Sequence, residues 1–526
     1  MIIMPQLSPI DVLKRSNAAW LIRDQWRNIL EDAYELVFAG INPYTQDKKA
    51  PRSMNRQFDS TATASTVRLA NRILNEMTPP FDNWADIKAG ALLEMTMDKE
   101  QIAALDQQLS GVSKLVNILV NSPTAVSARS AAILDTLISG MGVILGIENP
   151  EDDVVPITDQ AVSQSEVAIE VNARGEIGGI YRKRKIKVRE IKDIWPDAVI
   201  PSDLLAKLNE KKDPEIEVLE VTYEGGPGSN VAWYYEVLMC AKGQDPHRMV
   251  ERTYDVSPWT VFRWMVIPGM PYGPGPVLLG LADIRTANKV VEMILQQAAI
   301  AMAGMYLVRD DGVLNPDNIR IAAGGMIPVQ YTGGNGGASM VPLGTNREFD
   351  LGQLILDQLR TAIKKHLYDG TLPPETGSPR SATEWIQRIK DLNQDLGVGI
   401  GMMMADVVQY VRRRVEVLIK RGMVPKISVD QLTTKVEINS PLARAQKLSK
   451  VQDVINWLQM ANAAAPNAVA TVANLEKIVA WISSMMGVPP ELLYSEEEKK
   501  KIQQNIAAIT AAQAQQANAP APSQAS

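Results

Sequence analysis

Residues 268–308 read PGMPYGPGPVLLGLADIRTANKVVEMILQQAAIAMAGMYLV, and this stretch constrains the fold more than any other. Four prolines and three glycines crowd its first nine residues, and such a cluster interrupts regular structure and is a plausible boundary. Residues 277–308 then predict one long helix, about 45 Å at 1.5 Å per residue. Its QQAAIAMAGM segment is uncharged and rich in small residues. We therefore expect close packing on all sides there, either within one subunit or against further copies of the chain.

Downstream of this helix the chain alternates between helices and interruptions. A Gly-rich insert covers residues 309–346, a second helix is predicted over 349–367, a loop follows over 368–381, and a very long helix is predicted over 382–421. Glycines weaken the long helix near its centre and predict a kink there, namely Gly397, Gly399 and Gly401. Further helices are predicted near the C-terminus, and the Ala/Gln/Pro-rich final residues are expected to be disordered.

Upstream of residue 268, the spacing of apolar residues changes twice along the chain. Ser8 followed by Pro9 predicts the start of a helix whose apolar spacing continues to Gly40, and a second helix is predicted to stop at Pro79. Residues 98–147 look helical throughout. Residues 150–270 instead alternate apolar and polar side chains in several short runs, which predicts a layer of antiparallel strands. The predicted fold class is α+β, mainly α with a β-rich layer.

Composition excludes several classes of protein. The chain has 526 residues, of which 46% are hydrophobic, so it is long enough for several buried cores. Its net charge of −6 argues against a strongly basic nucleic-acid coat. One cysteine and two histidines leave no internal disulfide and little for a His-ligated metal site. We expect no signal peptide, no membrane span and no cofactor, because neither those segments nor the phosphate-loop, zinc-protease or esterase motifs occur.

Two groups of cations are candidate nucleic-acid contacts. Residues 182–189 hold six cations in eight positions. They could contact phosphates, or they could lie on a solvated strand and discourage edge pairing, which we favour. Lys364, Lys365 and His366 could likewise face a nucleic acid, but cations also stabilise the C-terminus of a helix, and this second interpretation is favoured.

Several segments in this order resemble one known family. They are FDSTATASTVRLANRILNEMTPPFDNW (58–84), SPWTVFRWMVIPGMPYGPGP (257–276), SATEWIQRIKDLNQDLG (381–397), NSPLARAQ (439–446) and GVPPELL (487–493). Together with the insert between two helices, they are similar to the portal protein, or head-to-tail connector, of short-tailed bacteriophages (podovirus type). The resemblance covers nearly the whole chain, although no single motif in it is catalytic.

The resemblance implies a portal-type fold that assembles as a ring. In order along the chain it implies a wing (1–276), a first stem helix (277–308), a clip (309–346), a second stem helix (347–367), a channel or tunnel loop (368–381), a long wing helix (382–424), a helical crown (425–500) and a low-complexity tail (501–526). Such rings have typically twelve subunits and lie at one capsid vertex.

The resemblance also implies function and partners. Double-stranded DNA would pass through the ring during packaging and ejection, and the clip would dock the terminase large subunit and later a tail adaptor protein. Major capsid and scaffolding proteins would be further partners, and the chain, made in the host cytoplasm, would reside in the virion and not be an enzyme. The channel-loop candidates are Lys364, Lys365, Gly370, Pro373, Pro374 and Arg380. The clip candidates are Arg309, Asp310, Asp311, Asn318 and Arg320.

Two other classes remain as alternatives. A DNA-acting packaging enzyme would need clustered carboxylates for a metal or a phosphate-binding loop, and neither is visible in the sequence. Another virion structural protein, a scaffold or a tail-tube protein, is the second alternative. A scaffold should be a long charged helical rod and a tube mainly β, whereas this sequence predicts mainly helix with one strand layer.

Overall fold

The computed structural model describes residues 6–38, 43–44, 57–149, 152, 154–209, 213–226, 229, 231–240, 245–303, 306–308, 340–342, 349–369, 382–427, 429–430, 432–439, 441–464 and 475–486. The chain divides into two compact units, residues 1–439 and 440–526. Helices and strands are mixed, with more helix than strand, which confirms the α+β prediction. No helix among the described residues is both long enough and apolar enough to cross a membrane.

The helices and strands of the first unit alternate along its length. The helices are α1 (Pro9–Gln25), α2 (Arg27–Val37), α3 (Thr61–Met77), α4 (Ala91–Thr96), α5 (Lys99–Val120), α6 (Pro123–Ser139), α7 (Glu190–Ile194), α8 (Ser202–Asn209), α9 (Pro276–Leu279), α10 (Leu281–Ala303), α11 (Phe349–His366) and α12 (Ala382–Lys420). The strands are β1 (Ala85–Ala89), β2 (Met141–Glu148), β3 (Ile157–Val162), β4 (Val167–Val171), β5 (Ile177–Lys187), β6 (Glu215–Glu224), β7 (Trp233–Met239), β8 (His247–Tyr254), β9 (Trp259–Arg263), β10 (Tyr306–Val308), β11 (Met340–Pro342) and β12 (Thr434–Ile438).

The N-terminal helices begin and end close to the predicted residues. Ser8 caps α1 by accepting a hydrogen bond from the Asp11 amide at 3.2 Å, and Pro9 occupies the first helical position. The predicted continuous run is nevertheless two helices, because α1 ends at Gln25 and α2 begins after Trp26. α3 ends at Met77, just before Pro79, as predicted.

The prediction of uninterrupted helix over residues 98–147 is wrong. α6 ends at Gly140, whose φ of +88° is the left-handed conformation typical of a helix stop. The next eight residues form β2, and its first six are buried. A short buried apolar run has the same composition in a helix and in a central strand, so periodicity could not distinguish the two.

Two antiparallel sheets form the predicted strand layer. Five strands pair in the order β4-β5-β6-β7-β8, and three pair in the order β3-β2-β9. The antiparallel layer is therefore confirmed, while β2 lies before the residues that were predicted as strands. A separate pair, β1 and β12, joins the chain near residue 87 to the chain near residue 436.

The glycine- and proline-rich stretch 268–276 is not a boundary between compact units. A Cβ atom at Gly140 would lie 1.9 Å from the Gly273 carbonyl oxygen and 2.9 Å from the Gly275 nitrogen. The stretch is therefore packed against the end of α6, and the first unit continues through it to Asn439. The glycines permit this close approach of two backbone segments.

The helices after this stretch differ from the prediction in length and continuity. The predicted helix over 277–308 is instead α9, a break at Gly280 and α10, which ends at Ala303. Residues 306–308 form β10, because Tyr306, Leu307 and Val308 favour a strand and pair with β11. α12 is one continuous helix across its three glycines, and the kink near its centre stays a prediction.

In the second unit the structure describes two helices that contact each other, α13 (Pro441–Ala464) and α14 (Leu475–Met486). The predicted low-complexity tail over 501–526 lies outside the described residues.

Candidate channel and assembly elements

The two predicted stem helices form an antiparallel hairpin. α10 and α11 pack against each other in one buried cluster that includes Ile284, Ala287, Leu356 and Ile363. β10 and β11 extend the hairpin as a short antiparallel ribbon, with Tyr306 opposite Pro342. β10 directly precedes the Gly-rich insert, whereas β11 lies within it. All five clip candidates lie outside the described residues, namely Arg309, Asp310, Asp311, Asn318 and Arg320.

Polar contacts fix this hairpin to the segment that precedes α3. The Asn288 side-chain oxygen on α10 accepts hydrogen bonds from the Phe58 and Asp59 amides at 2.6 and 3.2 Å. The Arg360 guanidinium on α11 binds the Asp59 carboxylate through Nη2 at 2.8 Å and Nε at 2.9 Å. Burial by itself would raise the pKa of Asp59, but hydrogen bonds from Thr61 and Arg360 lower it below its usual value.

The part of the hairpin near the insert exposes apolar side chains. Met293 and Leu295 on α10 are 50% and 53% exposed, and Leu354 and Ile355 on α11 are 57% and 41% exposed. No charged residue occurs on α10 after Glu292 or on α11 between Asp350 and Asp357. The expectation of burial within one subunit is therefore wrong for the start of the QQAAIAMAGM segment, whose two glutamines are exposed. Packing against further copies is the alternative that remains.

Of the channel-loop candidates, the structure describes the two lysines. Lys364 and Lys365 lie in the last turn of α11, where positive charge interacts favourably with the helix dipole. Neither ammonium group makes an ion pair with a described residue, and Lys365 is exposed. Both are therefore available for an anionic partner near the root of the predicted loop. The remaining candidates lie outside the described residues, namely Gly370, Pro373, Pro374 and Arg380.

The basic run on β5 mostly has partners within the protein. Arg182 is 4% exposed and binds the carboxylates of Glu166 at 2.9 Å and Glu220 at 3.5 Å. Arg184 lies over the Trp195 ring at 4.8 Å, a cation–π geometry. Residues 177–182 pair with β4 on one side, and 179–187 pair with β6 on the other. The favoured interpretation, a solvated strand whose cations discourage pairing at a sheet edge, thus fits only the end of β5. Because Arg182 is buried, it is excluded as a phosphate contact.

The C-terminal half of α12 is anchored by a buried polar cluster that sequence reasoning missed. Arg414 and Tyr410 on α12 both bind the Asp159 carboxylate on β3, and Arg129 on α6 donates to the Tyr410 hydroxyl at 3.1 Å. Burial raises the pKa of Tyr410 to about 12. The run of three arginines, Arg412–Arg414, is the sequence feature that could have indicated this buried cluster, although a run of charged residues usually indicates a solvated helix face.

The same helix carries apolar residues that face the β layer. Val407, Val411, Val415 and Leu418 are all buried, as their helical spacing predicts. Among the described residues, no group of three or more histidine, cysteine, aspartate or glutamate side chains could hold a metal ion. The described residues therefore provide packed helices and a helical hairpin with exposed apolar side chains.

Comparisons with known proteins identify the family of the chain. Residues 11–493 match the sequence profile of the family described as bacteriophage head to tail connecting protein. The chain is also 21% identical over 497 residues to the portal protein of Enterobacteria phage T3, covering 91% of this chain and 88% of that protein. A chain in the virion of a native gene transfer agent particle aligns at 12% identity with a TM-score of 0.40, over 90% of this chain and 99% of the other. Because the family profile spans most of its length, the chain belongs to the bacteriophage head to tail connecting proteins.

Proposed function

We propose that this chain works as a homo-oligomeric ring at one vertex of the capsid of a short-tailed phage, through which double-stranded DNA is packaged and ejected. The family membership makes the chain a phage head-to-tail connector, that is, a portal protein. The observation that carries the ring is the exposed apolar face of the α10–α11 hairpin near the insert.

That face needs a partner on energetic grounds. Exposed apolar surface costs about 25 cal/mol per Å² relative to buried surface, so several large exposed side chains in an uncharged part of the hairpin favour association. A second copy of the chain is the simplest partner, because every copy carries the same exposed apolar side chains. A contact that joins two different sides of neighbouring hairpins repeats from copy to copy and produces a closed ring when the rotation between copies closes. Twelve is the subunit number that the family resemblance favours.

A passage for DNA needs few fixed cations. A strongly cationic bore would bind phosphates along the duplex and resist sliding. The chain carries 54 basic and 60 acidic residues, and Lys364 and Lys365 are among the exposed or half-buried cations beside the proposed channel loop. With Arg380 they form the proposed set of phosphate contacts. The proposed clip, residues 309–346, would dock the terminase large subunit and then a tail adaptor, and capsid and scaffolding proteins would surround the ring.

In this role the protein is structural and the packaging motor is a separate ATPase. Electron microscopy of the purified full chain tests the ring directly: rotationally symmetric particles with a central hole wide enough for duplex DNA are expected. A monomer under assembly conditions would contradict the proposal. Substantial ATP hydrolysis by the pure chain would favour the rival, a packaging enzyme.

A substitution on the hairpin sharpens this test. Leu354→Asp should shift rings toward monomers in sedimentation, because it places a charge in the apolar contact, while circular dichroism stays as in the parent protein. Val154→Asp is the matched control, since Val154 is 85% exposed and lies in the connection between β2 and β3. Rings that form equally well with both variants would mean that the hairpin face is not the contact between copies.

A further inference from the structure

The end of α11 is built in an unusual way. The Tyr368 amide bonds to the Lys365 carbonyl at 3.1 Å, and the Asp369 amide bonds to the Lys364 carbonyl at 2.8 Å. These two bonds define the helix stop in which the residue after the helix adopts the left-handed conformation, and glycine is the usual residue there. Here that residue is Tyr368, with a φ of +51°. Among the described residues it is the only non-glycine with a positive φ.

A bulky residue in this conformation carries a conformational cost, so its side chain should have a use. The Tyr368 ring lies against the Trp264 ring, with centroids 6.1 Å apart and planes tilted by 49°. Trp264 directly follows β9 and is 3% exposed. Its amide bonds to the Gly140 carbonyl at 3.0 Å, so the ring that Tyr368 meets is itself held in place.

Trp264 also packs against α12, at one glycine. A Cβ atom at Gly399 would lie 2.8 Å from three atoms of the Trp264 ring, closer than real Cβ atoms come to another group. Cβ atoms at Gly397 and Gly401 would meet nothing within 4 Å. Gly399 is therefore required by the indole, and the other two glycines are not required by any such contact.

The residue after Tyr368 is held from another direction. The Asp369 carboxylate is 10% exposed and accepts a hydrogen bond from the Ser65 hydroxyl at 2.7 Å. Arg68, one turn further along α3, reaches the same carboxylate oxygen at 3.3 Å. Two consecutive residues are thus held by two elements, α3 and the end of β9, and α12 packs against the Trp264 ring that Tyr368 meets.

We propose that Ser65, Trp264, Tyr368, Asp369 and Gly399 form a root clamp that sets the position and direction in which the chain leaves α11. The clamp lies immediately before residue 370, where the proposed channel loop continues. The loop assignment rests on the proposed function, whereas the clamp rests on the contacts above. In this view Tyr368 and Trp264 are positioning residues: they hold the root of the loop and do not themselves touch DNA.

The first test displaces the Trp264 indole by a substitution on α12. In the full chain, Gly399→Ala should displace the Trp264 ring from its present position against Tyr368 and speed hydrogen exchange at the Tyr368 and Asp369 amides about tenfold. Gly397→Ala and Gly401→Ala are matched controls on the same helix and should leave that exchange unchanged. The double variant Trp264→Phe/Gly399→Ala should restore slow exchange, because phenylalanine lacks the ring atoms that would clash.

Global unfolding must be separated from loss of the clamp. Exchange at β6 amides, in the five-stranded sheet, reports on global stability and should stay at the parent rate in all four variants. Unchanged exchange at Tyr368 and Asp369 in Gly399→Ala would overturn the proposal. So would faster exchange that the double variant fails to correct.

The second test removes the ring without harming the helix stop. Tyr368→Gly suits the left-handed conformation better, so thermal stability should be equal or higher. Cleavage by a non-specific protease within residues 370–381 should nevertheless become severalfold faster, because the root of that segment is no longer held. Cleavage at the parent rate would overturn the clamp. Ring assembly is scored separately, so failure to form rings contradicts the proposed function and leaves this result interpretable.

Discussion

Arg360 on α11 holds the Asp59 carboxylate with a hydrogen bond from Nε at 2.9 Å and an ion-pair contact from Nη2 at 2.8 Å, across 301 residues of sequence. The contact connects the hairpin to the chain that leads into α3. The Asp59 side chain is 5% exposed and the Arg360 side chain 41% exposed, so the acid is the buried partner. Loss of the arginine would leave a buried carboxylate with fewer partners.

We therefore expect Arg360→Ala to lower the free energy of unfolding by about 1–3 kcal/mol, because a buried charge loses a charge-assisted hydrogen bond. Urea unfolding of the purified chain at pH 7 measures the change. Arg285 on α10 of the same hairpin forms an exposed ion pair with Asp32 on α2. Arg285→Ala removes this pair and should lower the free energy of unfolding by well under about 1 kcal/mol. Equal losses in the two variants would contradict the difference in burial.

The cluster that anchors α12 should be far more sensitive. Arg414 and Asp159 are 1% and 2% exposed in their side chains, and they bind each other directly. We expect Arg414→Ala to lower the free energy of unfolding by about 3–5 kcal/mol, since it leaves Asp159 charged and buried. Thermal unfolding checks this, with Arg412→Ala as the control, because Arg412 is only half-buried and bonds only weakly to Gln409, at 3.4 Å. If Arg414→Ala left thermal unfolding almost unchanged, the cluster would contribute little to stability.

A buried acid gives stability a defined pH dependence. Burial raises the pKa of Asp135 from 3.8 to about 6, although hydrogen bonds from Tyr34 and the Gln164 amide act in the opposite direction. The folded state then binds the proton more tightly than the unfolded state does. The favourable contribution is complete below pH 3.8, falls as pH rises through about 6, and is absent above that.

Asp135→Asn should remove this dependence. The amide oxygen still accepts the bond that Tyr34 donates at 2.6 Å, but no charge forms. At pH 8 the variant should be more stable than the parent by about 3 kcal/mol, and at pH 4 the two should be similar. Chemical unfolding across this range measures the difference. A difference that is independent of pH would mean that Asp135 does not titrate as described.

Gly140 tests whether the glycine- and proline-rich stretch must pack against the end of α6. Gly140→Ala places a Cβ 1.9 Å from the Gly273 carbonyl oxygen at a φ of +88°, so we expect a loss of about 3 kcal/mol or more in thermal unfolding. Gly175 also has a positive φ, +82°, but nothing lies within 4 Å of its Cβ position. Gly175→Ala should cost only about 1 kcal/mol. Equal costs would show that backbone conformation alone, and not the close approach, decides the effect.

Local patterns predicted those elements whose periodicity or punctuation is strong. Ser8 and Pro9 predicted the start of α1, and the spacing of Val407, Val411 and Val415 predicted the buried side of α12. The resemblance predicted the family that the profile match then established. These are properties of neighbouring residues or of residue order, and both can be read without knowing what lies across space.

Contacts between distant residues decided the rest. A buried strand such as β2 has the same apolar composition as a buried helix, so only its pairing with β3 and β9 distinguishes the two. Three glycines in α12 look alike in sequence, but one of them is required because the indole of Trp264 occupies the space where its Cβ would be. Tyr368 likewise shows no signal in sequence, since its conformation depends on partners more than 100 residues away. Sequence therefore determined the family and the elements with strong local patterns. Tertiary packing determined the remaining elements and which residues hold them in position, because that packing energy depends on pairs that no local window contains.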